Sequence, residues 1–142
     1  MRVLINGRFL AAGNGADIEV VEHFALVHDM MRENENLDLY HGPRAADFIK
    51  TIAGTWIKLN EHQLHQLMNA CRYHSVGRLD RDVTIQTCWD ADRLDLGRVG
   101  ITPKSHYLGS SLAKDHNFIE MAQMRSKKRF VCEDYYDASK TN

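Results

Sequence analysis

Apolar residues recur along this chain at steps of three and four, and the alternation that marks β-strands is scarce. That periodicity predicts an all-α protein. Arg2 to Ala12 reads as a first helix, closed by Gly13-Asn14-Gly15. Asp17 suits the cap of a second helix, whose apolar face runs Ile18, Val21, Phe24 and Ala25. Pro43 fits the first position of a third helix and Gly54 its stop. Asn60 and Gln63 have the spacing of a capping box for a fourth, with Leu64, Leu67 and Cys71 on its apolar face. Gly77 to Asp82 reads as a turn and Thr84 to Arg98 as the fifth helix, ended by Gly100-Ile101-Thr102-Pro103. A short helix is expected within Ser105 to Lys114, and Phe118, Met121, Ala122 and Arg125 carry helical spacing beyond it. The expectation is a helical bundle of about five core helices with a C-terminal helical extension. Residues 1–114 would form the domain, and residues 115–142 the extension and tail.

Three of these faces are interrupted by residues that carry chemistry. Ile85, Cys88, Asp92, Leu96 and Val99 share one face of the fifth helix, so an acid occupies a core-facing position. An unpaired carboxylate there is very costly, which implies a cation or several donors beside Asp92. On the second helix His28 and Asp29 follow Ala25 at three and four residues, and on the fourth His74 follows Cys71 at three. Imidazoles and carboxylates directed into one interior make a metal site suited to Mn, Fe, Ni or Zn rather than to thiolate-selective metals.

His28-Asp29 late in a helix, His74-Ser75 at the end of a later one, and Asp90-Ala91-Asp92-Arg93-Leu94-Asp95 further on resemble the HD-domain superfamily of metal-dependent phosphohydrolases. The likeness is closest to its small bacterial members with an Asp-Ala-Asp-Arg-Leu-Asp segment, and it spans roughly residues 1–113. It implies an HD-domain-like bundle with a His-Asp pair at His28 and Asp29 and a distal ligand at Asp92. It further implies one or two divalent ions, Mg included, the second at His41 and His74. The family's first His precedes an Arg-Val pair. Arg2-Val3 fits that pair, and no His stands before it in the chain.

Composition narrows the field. The chain has 142 residues, enough for one domain with a real core, and a formal net charge of −1. That balance gives no global field for a nucleic-acid polymer or an anionic membrane. No apolar run is long enough to span a bilayer. Cys71, Cys88 and Cys132 are widely spaced, which reads as free thiols in a reducing cytoplasm. The basic run Lys127-Lys128-Arg129 reads as a solvated face, and Trp56 and Trp89 as packing residues.

The expected activity is metal-dependent hydrolysis of a small phosphomonoester or phosphodiester, a nucleotide being one such substrate. Arg32, Arg44 and Arg93 are candidates to grip phosphate, and Asp90 or Glu33 to accept a proton. Arg93 and Arg98 also have a plainer reading, salt bridges to Asp90 or Asp95. The competing expectation is a catalytically degenerate module that binds a metal, nucleotide or protein partner. Self-association is compatible with either.

Overall fold

The structure is a computed structural model and describes residues 1–34 and 37–128. Six α-helices account for its framework: α1 (Arg2–Asn14), α2 (Ile18–Val27), α3 (His41–Ile52), α4 (Glu61–Tyr73), α5 (Val83–Arg93) and α6 (His116–Lys127). No strand occurs among the described residues. Helix α1 packs on α2 and α5, α3 packs on α4, and α2 also touches α4 and α5. Phe24, Leu10, Ile49, Leu67 and Leu94 are fully buried where these helices meet. Each such side chain contributes about 1.5–3 kcal/mol by leaving water.

The caps explain where helices begin. The Asp17 carboxylate accepts from the Glu19 and Val20 amides, and Asn60 and Gln63 make the reciprocal capping box of α4. Helix α1 runs to Asn14 and ends on Gly15 at φ 78°, a left-handed position that glycine takes without strain.

Several sequence expectations need correction. Ile18 is largely exposed, and Val20, Val21, Phe24 and Val27 form the buried face of α2 instead. Helix α5 stops at Arg93 rather than Arg98. From Asp92 onward i→i+3 bonds take over, Asp95 N–H donating to Asp92 O, and a 3₁₀ turn follows at Leu96–Val99. Within Ser105–Lys114 the only helical piece is a 3₁₀ turn at Ser105–Tyr107. The Gly109 and Ser110 amides donate to the Asp90 carboxylate, which diverts them from a helical ladder. Trp89 is packed as expected, but Trp56 is 80% exposed. It sits in the tight turn after Gly54, where the Ile52 carbonyl accepts from both Trp56 and Ile57.

Cys71 and Cys88 are buried free thiols, and burial pushes both well above the ordinary thiol range. Arg129, Cys132 and the rest of the tail lie outside the described residues. No helix among the described residues is long and apolar enough to cross a membrane.

Helix α6 lies against α1 and the Leu96–Val99 turn, with Phe118 and Ala122 buried. Arg125 donates to Asn6 Oδ1, tying it to α1.

Candidate metal centre

Of the eight histidines in the chain, His28, His41 and His74 are buried. Their positions follow from helix ends. His28 is the C-cap of α2, His74 the C-cap of α4, and His41 opens α3. Gly42 makes the last approach possible. A Cβ there would lie 2.6 Å from the Cys71 carbonyl oxygen and 2.9 Å from that of Arg72, so only a glycine lets α3 sit this close to the end of α4.

Each buried ring has one nitrogen committed to the main chain. His28 Nδ1 lies 2.9 Å from Phe24 O, His74 Nδ1 lies 2.7 Å from Cys71 O, and His41 Nδ1 contacts Asp38 O. A carbonyl only accepts, so Nδ1 donates in all three. In the neutral ring Nε2 is then the lone-pair atom, and the orientation is fixed as in metal-ligating histidines. The His28 ring is further held by stacking on Phe24, with centroids 4.7 Å apart.

The three Nε2 atoms converge on Asp29. Its Oδ1 is 3.2 Å from His41 Nε2 and 3.4 Å from His74 Nε2, and those two nitrogens are 2.8 Å apart. Its Oδ2 faces His28 Nε2 at 3.7 Å, and His28 Nε2 lies 3.5 Å from Asp92 Oδ1. Ligands about 2.1 Å from a shared tetrahedral ion stand about 3.4 Å apart. The two Asp29 distances match that spacing, the 2.8 Å between the two nitrogens is shorter, and Asp29, His41 and His74 could hold a metal ion. The two Nε2 lone pairs of His41 and His74 confront each other, an arrangement that a cation between them relieves.

Other donors surround this cluster. Ser75 Oγ is 3.2 Å from His41 Nε2 and 3.3 Å from His74 Nε2. Arg32 places an Nη 3.1 Å from both Asp29 Oδ1 and His41 Nε2, so a positive group already occupies the field of the acid. Arg32 Nε is buried and has no hydrogen-bond partner among the described residues.

The electrostatics follow the geometry. Burial pushes the Asp29 carboxyl up, but the His74 hydrogen bond and the charges of His28 and Arg32 outweigh it and hold it far below the carboxylate range. Asp92 is likewise net lowered: burial opposes ionisation, and the hydrogen bond and charge of His28 prevail. Burial works against the His28 imidazolium too, yet Asp92 and Asp29 raise it above its usual value.

The remaining sequence candidates are placed elsewhere. The fully buried acid of α5 is Asp90, whereas the Asp92 side chain is 23% exposed at the cluster's rim. Asp90 accepts from Gln86 Nε2 at 2.8 Å, Gly109 N at 2.8 Å and Ser110 N at 2.9 Å, which makes it an anchor for the loop after α5. Glu33 is exposed and faces Arg44 at 3.7 Å. Arg44 also binds Met31 O and Asp38, bracing the segment that leads into His41. Arg93 forms no salt bridge to Asp90 or Asp95; it donates to the carbonyls of Gly77, Arg78 and Tyr107 and lies over the Trp89 ring. The Arg98–Asp95 salt bridge that the sequence suggested forms at 3.4 Å, and Arg2 joins the same buried acid at 2.7 Å. Sequence reasoning missed the Arg2 contact and the contact of Ser75 with both imidazoles. The adjacency His74-Ser75 was the available signal for the latter.

Two cavities flank the cluster. A mouth of about 410 Å³ is lined by His28, Asp29, Arg32 and Asp92 together with Arg2 and Arg98. A second, of about 480 Å³, begins at Ser75 and extends between Val76–Arg78 and the Ile101–Leu108 segment. No family model, curated protein or solved structure matches the chain.

Proposed function

We propose that this protein is a metal-dependent phosphohydrolase acting on a phosphomonoester or phosphodiester, with nucleotides within that class. The observation that carries the reading is the convergence of His41 Nε2 and His74 Nε2 on Asp29 Oδ1, with His28 beside Asp29 Oδ2 and Asp92 beside His28. His41, His74 and Asp29 Oδ1 would hold one divalent ion, and His28, Asp92 and Asp29 Oδ2 a second. Asp29 would be shared between them. The donor set is nitrogen and oxygen only, which fits Mn, Fe, Ni, Zn or Mg better than a thiolate-seeking metal. Bound there, the metal supplies an acidified water and a Lewis acid for the phosphoryl oxygens.

The chain's own groups supply the rest. An ion on His41 Nε2 would take the lone pair that now accepts from Arg32 Nη, so Arg32 would stay anchored on Asp29 alone, with that Nη and its Nε–H left to donate to a phosphoryl oxygen. Arg2 and Arg98 stand at the mouth with one acid, Asp95, between them, so their combined charge there is net positive. Asp29 and Asp92 stay ionised at neutral pH and keep the cluster electron-rich. Hydrolysis then adds water across one ester P–O bond, releasing the alcohol together with phosphate from a monoester or a phosphomonoester from a diester.

Release of 4-nitrophenol from 4-nitrophenyl phosphate and from bis(4-nitrophenyl) phosphate, by the full chain with and without added manganese, tests this. Turnover should require metal and fall more than about 100-fold in Asp92→Ala, since even outer-shell partners of a metal matter by 10–100-fold. Tight metal binding with no turnover on either ester would make the domain a metal-binding module instead.

A further inference from the structure

The larger cavity, the one that begins at Ser75, is not needed to hold a metal or a phosphoryl group, and its chemistry differs from that of the mouth. Val76, Leu96, Pro103 and Leu108 give it apolar walls, and its volume of about 480 Å³ lies within the range of small-molecule sites. It joins the metal centre at one residue. Ser75 lines the cavity and its Oγ lies within 3.3 Å of both His41 Nε2 and His74 Nε2. Ser75 is thus the one residue shared by the cluster and this cavity, and a molecule whose phosphoryl group met the cluster on its Ser75 side would reach this space.

Its walls are held at a set separation. Arg93 donates to the carbonyls of Gly77 and Arg78 on one side and of Tyr107 on the other, while its guanidinium rests over Trp89 at 5.6 Å. Asp90 fixes the following Gly109-Ser110 backbone. Rigid walls favour a rigid occupant, because a flexible chain loses more rotamer freedom on entry. Arg78 and Lys104 also line the cavity, and among the described residues neither forms an ion pair. Cations lining an apolar slot suit the face of an aromatic ring. A saturated alkyl chain would fill the slot without engaging these two exposed cations, and a short polyol would gain little from the walls.

We propose that this cavity binds the organic part of the phosphate ester, and that this part is an aromatic ring system rather than a polyol or an alkyl chain. The assignment rests on the phosphohydrolase reading for which end of the substrate lies at the metal. Its test does not depend on turnover.

The test is ligand-observed NMR on the magnesium-loaded full chain with 1-naphthyl phosphate, hexyl phosphate and glycerol 2-phosphate, repeated on Val76→Trp. Val76 is 62% exposed, so the larger side chain fills the cavity without disturbing the core. The naphthyl ester should bind about tenfold more tightly than the other two, and Val76→Trp should shrink that preference at least about fivefold. Equal binding of the three esters, a preference for the hexyl ester, or a preference untouched by Val76→Trp overturns the proposal. Phosphate release followed in the same samples separates the two claims. Ring-selective binding without turnover supports the cavity assignment and counts against the hydrolase, whereas turnover without ring selectivity does the reverse.

Discussion

His41 and His74 meet through their Nε2 atoms, 2.8 Å apart, although each ring has already donated its Nδ1–H to a main-chain carbonyl. Two acceptors at hydrogen-bond distance lack a proton to share unless one ring is charged. A cation coordinated by both satisfies the pair, with Asp29 as the third ligand. Side-chain ¹⁵N NMR should therefore show the Nε2 signals of His41, His74 and His28 moving on addition of zinc, while those of the exposed His62, His65, His106 and His116 stay in place. Uniform small shifts across all histidines would speak for nonspecific binding.

Gly42 is the steric condition for that meeting. In Gly42→Ala the new methyl would press on the Cys71 and Arg72 carbonyls, and α3 must retreat by several tenths of an ångström. Overpacking of this kind costs about 1–3 kcal/mol. Gly42→Ala should lower the melting temperature and weaken zinc binding together, whereas Gly15→Ala should weaken folding alone, since Gly15 lies at a left-handed φ on the far end of α1. Thermal melts with and without zinc read both effects.

The pH dependence of the metal-free protein follows from His28. Its pKa lies above the usual 6.5 because Asp92 and Asp29 stabilise the imidazolium against burial. A raised pKa contributes stability that is complete below 6.5 and disappears as pH rises through the folded value. Asp29 and Asp92 are lowered from 3.8, so their contribution is present above that pH and is lost as pH falls through their lowered values. Chelator-treated protein should thus melt higher between pH 4 and 6.5 than at pH 8.5. Metal must displace the His28 proton, so metal affinity should rise with pH over the interval in which apo stability falls. Parallel rises in both, or no dependence in either, would contradict the ion pair.

Asp90 and Asp92 are two residues apart and are expected to respond differently. Asp90 is fully buried and accepts three hydrogen bonds, two of them from the Gly109-Ser110 backbone. Asp90→Ala should destabilise the fold by about 3 kcal/mol, since two buried amides and Gln86 lose their acceptor. That corresponds to a melting temperature about 10 °C lower. Asp92→Ala should change the melt of the metal-free protein far less and abolish metal-dependent stabilisation. An Asp90→Ala protein that is fully stable but inert would restore Asp90 as a catalytic base.

How legible this was depends on whether the signal was local. Caps are local: Asp17, and Asn60 with Gln63, announce their helices because the side chain satisfies amides two or three residues away. The face of α4 and the first part of the α5 face, Ile85 and Cys88, were readable from spacing, and His74 and Asp92 lie at one end of the bundle as expected, whereas Val99 of the expected α5 face is exposed. Spacing could not rank Asp90 against Asp92, because what buries Asp90 is a loop almost twenty residues later in the chain. The end of α5 was misread for a similar reason. Leu94 and Leu96 continue the apolar pattern, while the Arg2–Asp95 pair across to α1 is a long-range contact that periodicity does not register. His41 was placed beside the pair through resemblance, and the geometry that brings it there depends on a glycine contact between α3 and α4.

The most direct measurement is an equilibrium titration of manganese or zinc into the chelator-treated full chain, run in parallel with Asp29→Ala. A centre built on Asp29 predicts saturable binding of one or two ions per chain, weakened by more than about 100-fold when the carboxylate is removed. Equal affinity in the two proteins, or no saturable binding in either, contradicts a metal centre formed by His28, Asp29, His41, His74 and Asp92.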